Sequence, residues 1–360
     1  MIIFQLAIDG GIGNSQLMNS ATVNITIKDV NNKPPILSDM PTLHVMENTP
    51  VGTEICKIQA NDSDETPIIR YKINPNNSEA RNEEGSVVKL SEYDYISAFD
   101  LDPIDGTLQV IKVIDRERVE HIKLSIIVED LAAAKGKQIV EGFLNIQIED
   151  ENDNNPKFKQ PFYKKSITEN SMNGVLIASV IAYDVDKNRT ITYSLEGNPL
   201  LRQLIHLDAQ TGEIVVANKI DHELYQWLNF SVRATDSGVP TRSSLVDVFI
   251  TVLDENDNNP YFIGGSKNYS ISELAVVGTR IGTIQAADAD SGDFGKITFL
   301  MDRISSQGKF SIDADTGVLT VADTLDRETK DFYMLVIEAW DNYQFGFLAG
   351  ESRNAFKQVL

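Results

Sequence analysis

The stretch Asp150-Glu151-Asn152-Asp153-Asn154-Asn155-Pro156 decides how this chain of 360 residues is organised. Three carboxylates and three amides stand side by side, and a proline then stops a strand from continuing. The same seven letters return at residues 254–260, and a looser copy, DVNNKPP, lies at residues 29–35. This repetition indicates similar units joined by similar linkers.

Each complete linker follows a run of alternating apolar residues, at 143–148 and at 246–252. Alternation of this kind is typical of a strand with one buried face. A strand therefore ends where each group of oxygen-bearing side chains begins. Hard oxygen donors packed this closely are what Ca²⁺ prefers, at about six to eight oxygens per ion. The pattern predicts calcium-binding joints between repeated domains.

The chain is acidic, with 53 Asp and Glu against 32 Lys and Arg and a formal net charge of -21. Such a chain repels phosphates, so the charge argues against nucleic acid as a partner and fits a binder of divalent cations. An apolar content of 42% is sufficient for ordinary hydrophobic cores. With Cys56 as the single cysteine, no disulfide can form within the chain, and we expect a core thiol. No apolar run reaches the roughly 18 residues of a membrane span.

Aligned on the linkers, the chain contains three units, which carry the same acidic residues in the same order. In each unit a glutamate follows an apolar run, and an Asp-x-Asp begins 15 residues after it. An Asp-x-Glu comes later in the unit, and a lone Asp stands 15 residues after the first residue of that motif. These residues are Glu47, Asp62, Asp64, Asp115, Glu117 and Asp130, then Glu169, Asp184, Asp186, Asp221, Glu223 and Asp236, then Glu273, Asp288, Asp290, Asp326, Glu328 and Asp341. Because both spacings hold in all three units, chance does not explain them.

We predict domain boundaries at 1–35 (the last strands and linker of an incomplete repeat), 36–154, 155–258 and 259–360, where the last repeat stops before its own linker. The opening run 2–8 has the pattern of a strand, so we expect the sequence to be a piece of a longer protein.

Short period-two runs separated by turns predict about seven strands per unit of roughly 100 residues. The expected fold is all-β, a tandem array of seven-stranded, immunoglobulin-like Greek-key β-sandwiches. Residues 74–92 of the first repeat form a polar insertion, which we predict to be a long exposed loop. Trp227 and Trp340 are predicted to be core or packing residues.

Together, these elements and the Asp-x-Asn-Asp-Asn-x-Pro linkers resemble the extracellular repeats of the cadherin superfamily, over essentially the whole chain. The resemblance implies about three Ca²⁺ ions per joint, held by the repeat before, the linker and the repeat after. For the first complete linker it implies Glu47, Asp115, Glu117, Asp150, Glu151, Asn152, Asp153, Asn154, Asp184, Asp186 and Asp236. For the second it implies Glu169, Asp221, Glu223, Asp254, Glu255, Asn256, Asp257, Asn258, Asp288, Asp290 and Asp341. Two complete joints would bind about six ions.

Some positions depart from the family pattern. His222 stands where an arginine is usual, between two ligands that are kept. Asp130 is followed by Leu131 rather than glycine. In the linker at 29–35, Asn32 replaces the second aspartate, and the repeat before this linker is incomplete in the given sequence. Only a site built on Asn31, Asp62, Asp64 and Asp130 is therefore expected there.

Two functions follow from the resemblance. One is a calcium-dependent cell-adhesion ectodomain whose ions rigidify an elongated rod; the other is a non-adhesive spacer or force-bearing segment whose partners bind elsewhere. Other cadherin ectodomains, homophilic or heterophilic, are the expected partners, with no small-molecule substrate and no nucleic acid. We expect the chain to be extracellular and to belong to a membrane-anchored parent protein. Its repeats are expected to be internal repeats of a long non-type-I cadherin or protocadherin. Paired carboxylates also occur in glycosidases, but pairs repeated once per unit argue against a single catalytic site.

Six Asn-x-Ser/Thr sequons fit a secreted glycoprotein: Asn24, Asn61, Asn76, Asn188, Asn229 and Asn268. Asn76, in the polar insertion, is the best glycan candidate.

Overall fold

A computed structural model describes residues 2–8, 18–187, 189–265, 267–341, 343 and 353–359. The chain divides into two compact units, the first comprising residues 1–153 and 185–187 and the second 154–184 and 188–360. Strands dominate both units, which confirms the all-β prediction. Among the described residues, no helix is long and apolar enough to span a bilayer.

The first unit begins with an antiparallel pair, β1 (Ile2–Ile8) and β2 (Met18–Asn24). A β-sandwich follows, built from β3 (Ile36–Leu37), β4 (Leu43–Met46), β5 (Glu54–Lys57), β6 (Ala60–Asn61), β7 (Ile69–Ile73), β8 (Glu79–Arg81), β9 (Phe99–Leu101), β10 (Thr107–Val110), β11 (His121–Asp130) and β12 (Gln138–Glu149). One sheet has the order β4-β12-β11-β7, with β8 also paired to β11, and a second has the order β5-β10-β9. Strands β3 and β6 form a separate antiparallel pair. A 3-10 helix covers Ile96–Ala98, before β9.

The core of this sandwich follows from alternation along β11. Ile122, Leu124, Ile126 and Val128 are all buried, since every second side chain of a strand points to the same face. These side chains pack with Leu108 and others from the facing sheet into one cluster. Cys56 lies at the edge of this cluster, where burial raises the pKa of its thiol.

The prediction of a long exposed loop at residues 74–92 was wrong for residues 79–81, whereas most of the other residues in this range are exposed. Strand β8 lies within this insertion and pairs with β11, and Ala80 at its centre is only 1% exposed. Arg81 also bridges to Val87. The flanking polar residues obscured a strand so short that it offers a single inward-facing side chain.

The second unit contains two sandwiches, each with its own hydrophobic core. The first consists of β13 (Lys157–Phe158), β14 (Phe162–Thr168), β15 (Leu176–Ser179), β16 (Ala182–Tyr183), β17 (Ile191–Glu196), β18 (Ile205–Leu207), β19 (Glu213–Val216), β20 (Trp227–Asp236) and β21 (Ser243–Leu253), with the short helix α1 (Leu201–Leu204). The second consists of β22 (Tyr261–Phe262), β23 (Arg280–Thr283), β24 (Ala286–Ala287), β25 (Ile297–Met301), β26 (Phe310–Ile312), β27 (Val318–Val321), β28 (Leu335–Asp341) and β29 (Asn354–Val359), with the short helix α2 (Arg303–Ser306).

Parallel pairing places the acidic residues. Strand β14 runs parallel to β21, with Thr168 opposite Leu253, so Glu169 and Asp254 leave the sheet together at one end. Strand β4 runs parallel to β12 in the same way and brings Glu47 beside the start of the linker at Asp150. Strand β11 is antiparallel to β12 and ends with Asp130 at the opposite end of its sandwich. Strand β20 is antiparallel to β21 and ends with Asp236 in the same way. Each sandwich therefore has acidic groups at both ends.

Candidate metal centre

A buried glutamate organises the end of each of the first two sandwiches. Glu169 is 1% exposed; its Oε1 accepts a hydrogen bond from the Glu255 amide at 2.7 Å and its Oε2 one from the His222 amide at 2.8 Å. Glu47 accepts the matching bonds from the amides of Glu151 and Arg116, each at 2.9 Å. The glutamate therefore ties the linker to the Asp-x-Glu turn through backbone donors.

The second linker is surrounded by eight carboxylates, which we call the Asp254 cluster: Glu169, Asp221, Glu223, Asp254, Asp257, Asp288, Asp290 and Asp341. Within it lie three sets of three carboxylates whose oxygens approach within 4.8 Å of one another: Glu169-Asp221-Glu223, Glu223-Asp257-Asp290 and Asp288-Asp290-Asp341. Glu223 belongs to the first and second sets, and Asp290 to the second and third. The three sets therefore form a continuous series, linked by two shared side chains.

Hydrogen bonds fix the linker against the third repeat. Both the backbone N–H of Asn258 and its Nδ2 donate to Asp290, the latter at 2.6 Å. Asp254 Oδ2 accepts from the backbone N–H and the hydroxyl of Ser291, at 2.7 and 2.6 Å. Asn256 Nδ2 donates to Asp341 Oδ1 at 3.0 Å. Two of the carboxylates that form the sets, Asp290 and Asp341, thus also hold the linker.

Without a bound cation, the carboxylates of the Asp254 cluster repel one another. Burial, with the nearby carboxylates Asp221 and Glu169 adding to it, raises the pKa of Glu223 to about 7. Burial also raises the pKa values of Asp288, Asp290 and Asp341. Two carboxylates 4.8 Å apart repel by roughly 3 kcal/mol at an effective dielectric of about 20. A cation between them would remove this penalty.

The donor chemistry fits calcium. Among the described residues, Glu223 Oε1, Asp288 Oδ2 and Asp341 Oδ2 are buried and accept no hydrogen bond. Buried acceptors without a donor are costly, because they have lost water and gained nothing in return. A ligand set made only of carboxylate, amide and carbonyl oxygens suits a hard cation such as Ca²⁺, and it contains no soft donor of the kind that selects zinc or copper.

The first unit contains a related arrangement, the Asp150 cluster of Glu47, Glu117, Asp150, Asp153 and Asp186. Two sets share Glu117, namely Glu47-Glu117-Asp150 and Glu117-Asp153-Asp186. Burial, with Glu47 nearby, raises the pKa of Glu117 to about 7.

Arg116 adds a cation to the Asp150 cluster, although it is only 1% exposed. Its Nε lies 2.7 Å from Asp150 Oδ1 and its Nη2 lies 2.6 Å from Glu117 Oε1. His222 stands at the same place in the second repeat, and its Nδ1 lies 2.9 Å from the Val252 carbonyl oxygen. The two clusters therefore differ in fixed charge.

Some predicted ligands lie outside these sets. Asp115 accepts from the Arg118 amide at 3.1 Å, and Glu151 and Glu255 contribute backbone amides while their side chains are exposed. Asp236 Oδ1 accepts from the amides of Gly238 and Arg242, at 3.1 and 3.0 Å. Asp184 and Asn152 are buried, and Asn154 is half-buried.

The residues near the looser linker form a smaller group. Asp64 Oδ2 accepts from the amides of Asn32 and Lys33, at 2.8 and 2.9 Å, and Asp62 Oδ1 accepts from the Asp64 amide. Burial opposes ionisation of Asp130, but bonds from the Ala132 and Ile68 amides and the Asn31 side chain outweigh it and lower the pKa of Asp130. Backbone donors thus satisfy part of this group.

Sequence reasoning missed the asparagine that follows the buried glutamate. Asn48 and Asn170 have positive φ angles of 54° and 55°. Their Nδ2 atoms donate to Asp153 Oδ2 at 2.7 Å and to Asp257 Oδ2 at 2.8 Å. The signal was present, because asparagine tolerates this backbone region and Glu-Asn recurs in the first two repeats.

Three segments, residues 41–149, 163–253 and 267–354, match the family model of the cadherin domain. The chain belongs to the cadherin family. It is 34% identical to rat (Rattus norvegicus) cadherin-23 over 359 residues, which are 97% of this chain and 10% of that protein. It is 32% identical to the human (Homo sapiens) cadherin EGF LAG seven-pass G-type receptor 2 over 329 residues, 89% of this chain and 11% of that protein. The chain thus spans about a tenth of the length of these curated relatives.

The fold agrees with solved cadherin repeats. A crystal structure of repeats EC21–23 of human cadherin-23 superposes with a TM-score of 0.74 at 31% identity, covering 91% of this chain and all of that one. The relatives are extracellular parts of membrane proteins that act in adhesion and are not enzymes. Cadherin domains generally bind Ca²⁺ at the linkers between repeats.

Proposed function

We propose that this chain is an extracellular, calcium-dependent section of a cadherin adhesion ectodomain. Its repeats cover residues 36–154, 155–258 and 259–360, preceded by the end of another repeat at 1–35. Ca²⁺ bound at the linkers 150–156 and 254–260 stiffens the connection from each repeat to the next.

The three linked carboxylate sets of the Asp254 cluster carry this proposal. Each set is suited to one ion, and the shared Glu223 and Asp290 would each bridge two neighbouring ions. Asn256, through its side chain, and Asn258, through its carbonyl, complete the oxygen ligands. The Asp150 cluster would bind ions in the same way through Glu47, Glu117, Asp150, Asp153 and Asp186.

Charge balance supports about three ions at the Asp254 cluster. Eight carboxylates carry eight negative charges, and three Ca²⁺ ions neutralise six of them. At about 1 mM Ca²⁺ and a dissociation constant of about 0.1 mM, each site adds roughly 1.4 kcal/mol to stability. This affinity suits extracellular fluid, where free Ca²⁺ is always high.

Calorimetric titration of the calcium-free chain tests the proposal. We expect about six ions from the two joints, a higher melting temperature with Ca²⁺ and a lower one in chelator. Absence of binding at millimolar Ca²⁺, or identical melting curves in both buffers, would refute calcium dependence. Sedimentation with and without Ca²⁺ then separates the two roles, because adhesive repeats associate with metal present and a spacer stays monomeric.

A further inference from the structure

The second repeat presents several apolar side chains on the outer face of the sheet β14-β21-β20-β17. Trp227, at the start of β20, is 65% exposed, so of the two predicted roles, core or packing, the core role was wrong. Phe162 on β14 and Phe249 on β21 form an edge-to-face pair with centroids 6.5 Å apart. Leu253 extends this face along β21. Exposed apolar patches of this kind usually mark a surface that another group covers.

Asn229 lies in the middle of this face. Side chains alternate along β20, so Trp227 and Asn229 point outward while Leu228 and Phe230 are buried. The strand register sets Asn229 directly opposite Phe249 and Trp227 opposite Thr251. A group attached to Asn229 therefore has an indole two residues before it on its own strand and a phenyl ring across from it.

The segment Asn229-Phe230-Ser231 is an N-glycosylation sequon. We propose that Asn229 carries an N-linked glycan whose first N-acetylglucosamine packs on Trp227 and Phe249 and covers this face. The proposal rests on the proposed function in one respect, because only a chain that passes through the secretory route meets the transferase.

The chemistry of the sugar fits this surface. One face of a pyranose ring presents C–H groups with partial positive charge, and the face of an aromatic ring carries partial negative charge. In the transfer, Asn229 Nδ2 forms a bond to C1 of N-acetylglucosamine and loses one proton. The C1–O bond to a lipid-diphosphate donor breaks, and the diphosphate leaves with the electron pair.

The other two repeats lack this acceptor. Counted back from Asp130 and Asp341, the position of Asn229 is occupied by Lys123 and Met334. In the first repeat Lys123 Nζ lies 4.3 Å from the centroid of the Phe143 ring and itself covers an exposed aromatic side chain. In the proposed arrangement, the glycan on Asn229 takes the covering role in the second repeat that Lys123 has in the first.

Occupancy is tested on the whole 360-residue chain, secreted from a eukaryotic host with a supplied signal peptide. Peptide mapping after enzymatic deglycosylation should show modification at Asn229, and none there in the variants Asn229→Gln and Ser231→Ala. Asn76, in an exposed turn, is the internal comparison. Modification of Asn76 with an unmodified Asn229 would overturn the proposal, most directly if the chain also self-associates and Trp227→Thr abolishes that association.

Packing is tested by trimming the glycan to a single N-acetylglucosamine. The trimmed parent should melt about 4–8 °C above Asn229→Gln, the shift expected for one aromatic contact in a domain of this size. Trp227→Thr keeps the sequon and should lose this difference, together with the ring-current shift of the acetyl methyl NMR signal. A glycan whose stabilisation and NMR shift survive Trp227→Thr would refute packing on the indole.

The same samples separate the inference from the calcium proposal. Asn229→Gln should keep the Ca²⁺ stoichiometry and the Ca²⁺-induced melting shift of the parent. If Ca²⁺ fails to bind but Asn229 carries a packed glycan, the calcium proposal falls and this inference stands. If Ca²⁺ binds and Asn229 is bare, the reverse holds.

Discussion

Asp290→Asn should lower the melting temperature of this chain in the presence of Ca²⁺ but leave it unchanged or raise it without Ca²⁺. Asp290 belongs to two of the three carboxylate sets, so it is placed to bridge two ions. Asparagine keeps an oxygen that can accept from Asn258 but removes the charge. The substitution therefore tests the charge and spares the local hydrogen bond.

The magnitudes follow from the geometry. Without Ca²⁺, each carboxylate within 4.8 Å of Asp290 repels it by roughly 3 kcal/mol at an effective dielectric of about 20, so the variant should melt at the parent's temperature or above it. With about 1 mM Ca²⁺, two weakened sites at roughly 1.4 kcal/mol each remove roughly 3 kcal/mol of stabilisation. For a domain of this size, that removes about 10 °C or more of the Ca²⁺-induced shift.

Scanning calorimetry in chelator and in Ca²⁺, with a titration for stoichiometry, measures both effects. Asp293→Asn is the matched control, because Asp293 is exposed, stands three residues away and belongs to none of the described sets. The control should melt like the parent in both buffers. If Asp290→Asn keeps the full Ca²⁺-induced shift and the full number of ions, the bridging role is refuted.

Three further predictions concern the same sites. Burial raises the pKa values of Glu223 and Glu117 in the folded chain from 4.5 to about 7, so between pH 4.5 and 7 the folded chain binds more protons than the unfolded one. The stability of the calcium-free chain should therefore fall as pH rises from 5 to 8, and its Ca²⁺ affinity should rise roughly tenfold from pH 6 to 8. Calcium titrations that do not change with pH would contradict this. Arg116→Met should destabilise the calcium-free first repeat by about 3–5 kcal/mol in urea unfolding, and by less with Ca²⁺, because it leaves buried carboxylates without their cation. The control Arg327→Met, at an exposed arginine, should change stability little. Equal losses of stability in the two variants would show that burial of the cation is unimportant. Asn170→Ala should lower the melting temperature by about 4–8 °C, and Asn170→Gly by less, because glycine tolerates the positive φ; a larger loss for glycine would refute the backbone argument.

Much of the candidate metal centre could be predicted from the sequence, because its residues carry polar oxygens and stand at fixed spacings from strand ends. Glu169 follows one strand and Asp254 follows its parallel neighbour, so the sheet brings them together wherever the two strands pair in register. The linker letters and the spacings of 15 therefore predicted several of the carboxylates that the structure brings together. The all-β fold followed from the same period-two runs.

Other features depend on contacts that a linear pattern does not contain. Arg116 looks like an ordinary charged residue until its guanidinium is found buried among carboxylates. Ala80 forms its strand only because β11 extends far enough to pair with it. Trp227 is different, because its exposure could have been predicted from the sequence: side chains alternate along β20, so Trp227 lies on the same face as Asn229 and opposite to Leu228. The prediction of a core residue followed from the size of the side chain, whereas the alternation of the strand determines its exposure.

The order of the three carboxylate sets shows which ion would couple the second repeat to the third. Glu169, Asp221 and Glu223 all come from the second repeat, so that repeat can assemble the first set alone. The third set comes entirely from the third repeat. Only the middle set draws on both repeats and on the linker, through Glu223, Asp257 and Asp290. An ion at either outer set would mainly relieve repulsion within one sandwich. An ion at the middle set would join the two sandwiches and neutralise the carboxylates that both outer ions share, so the stiffness of this linker should depend on the middle ion above all.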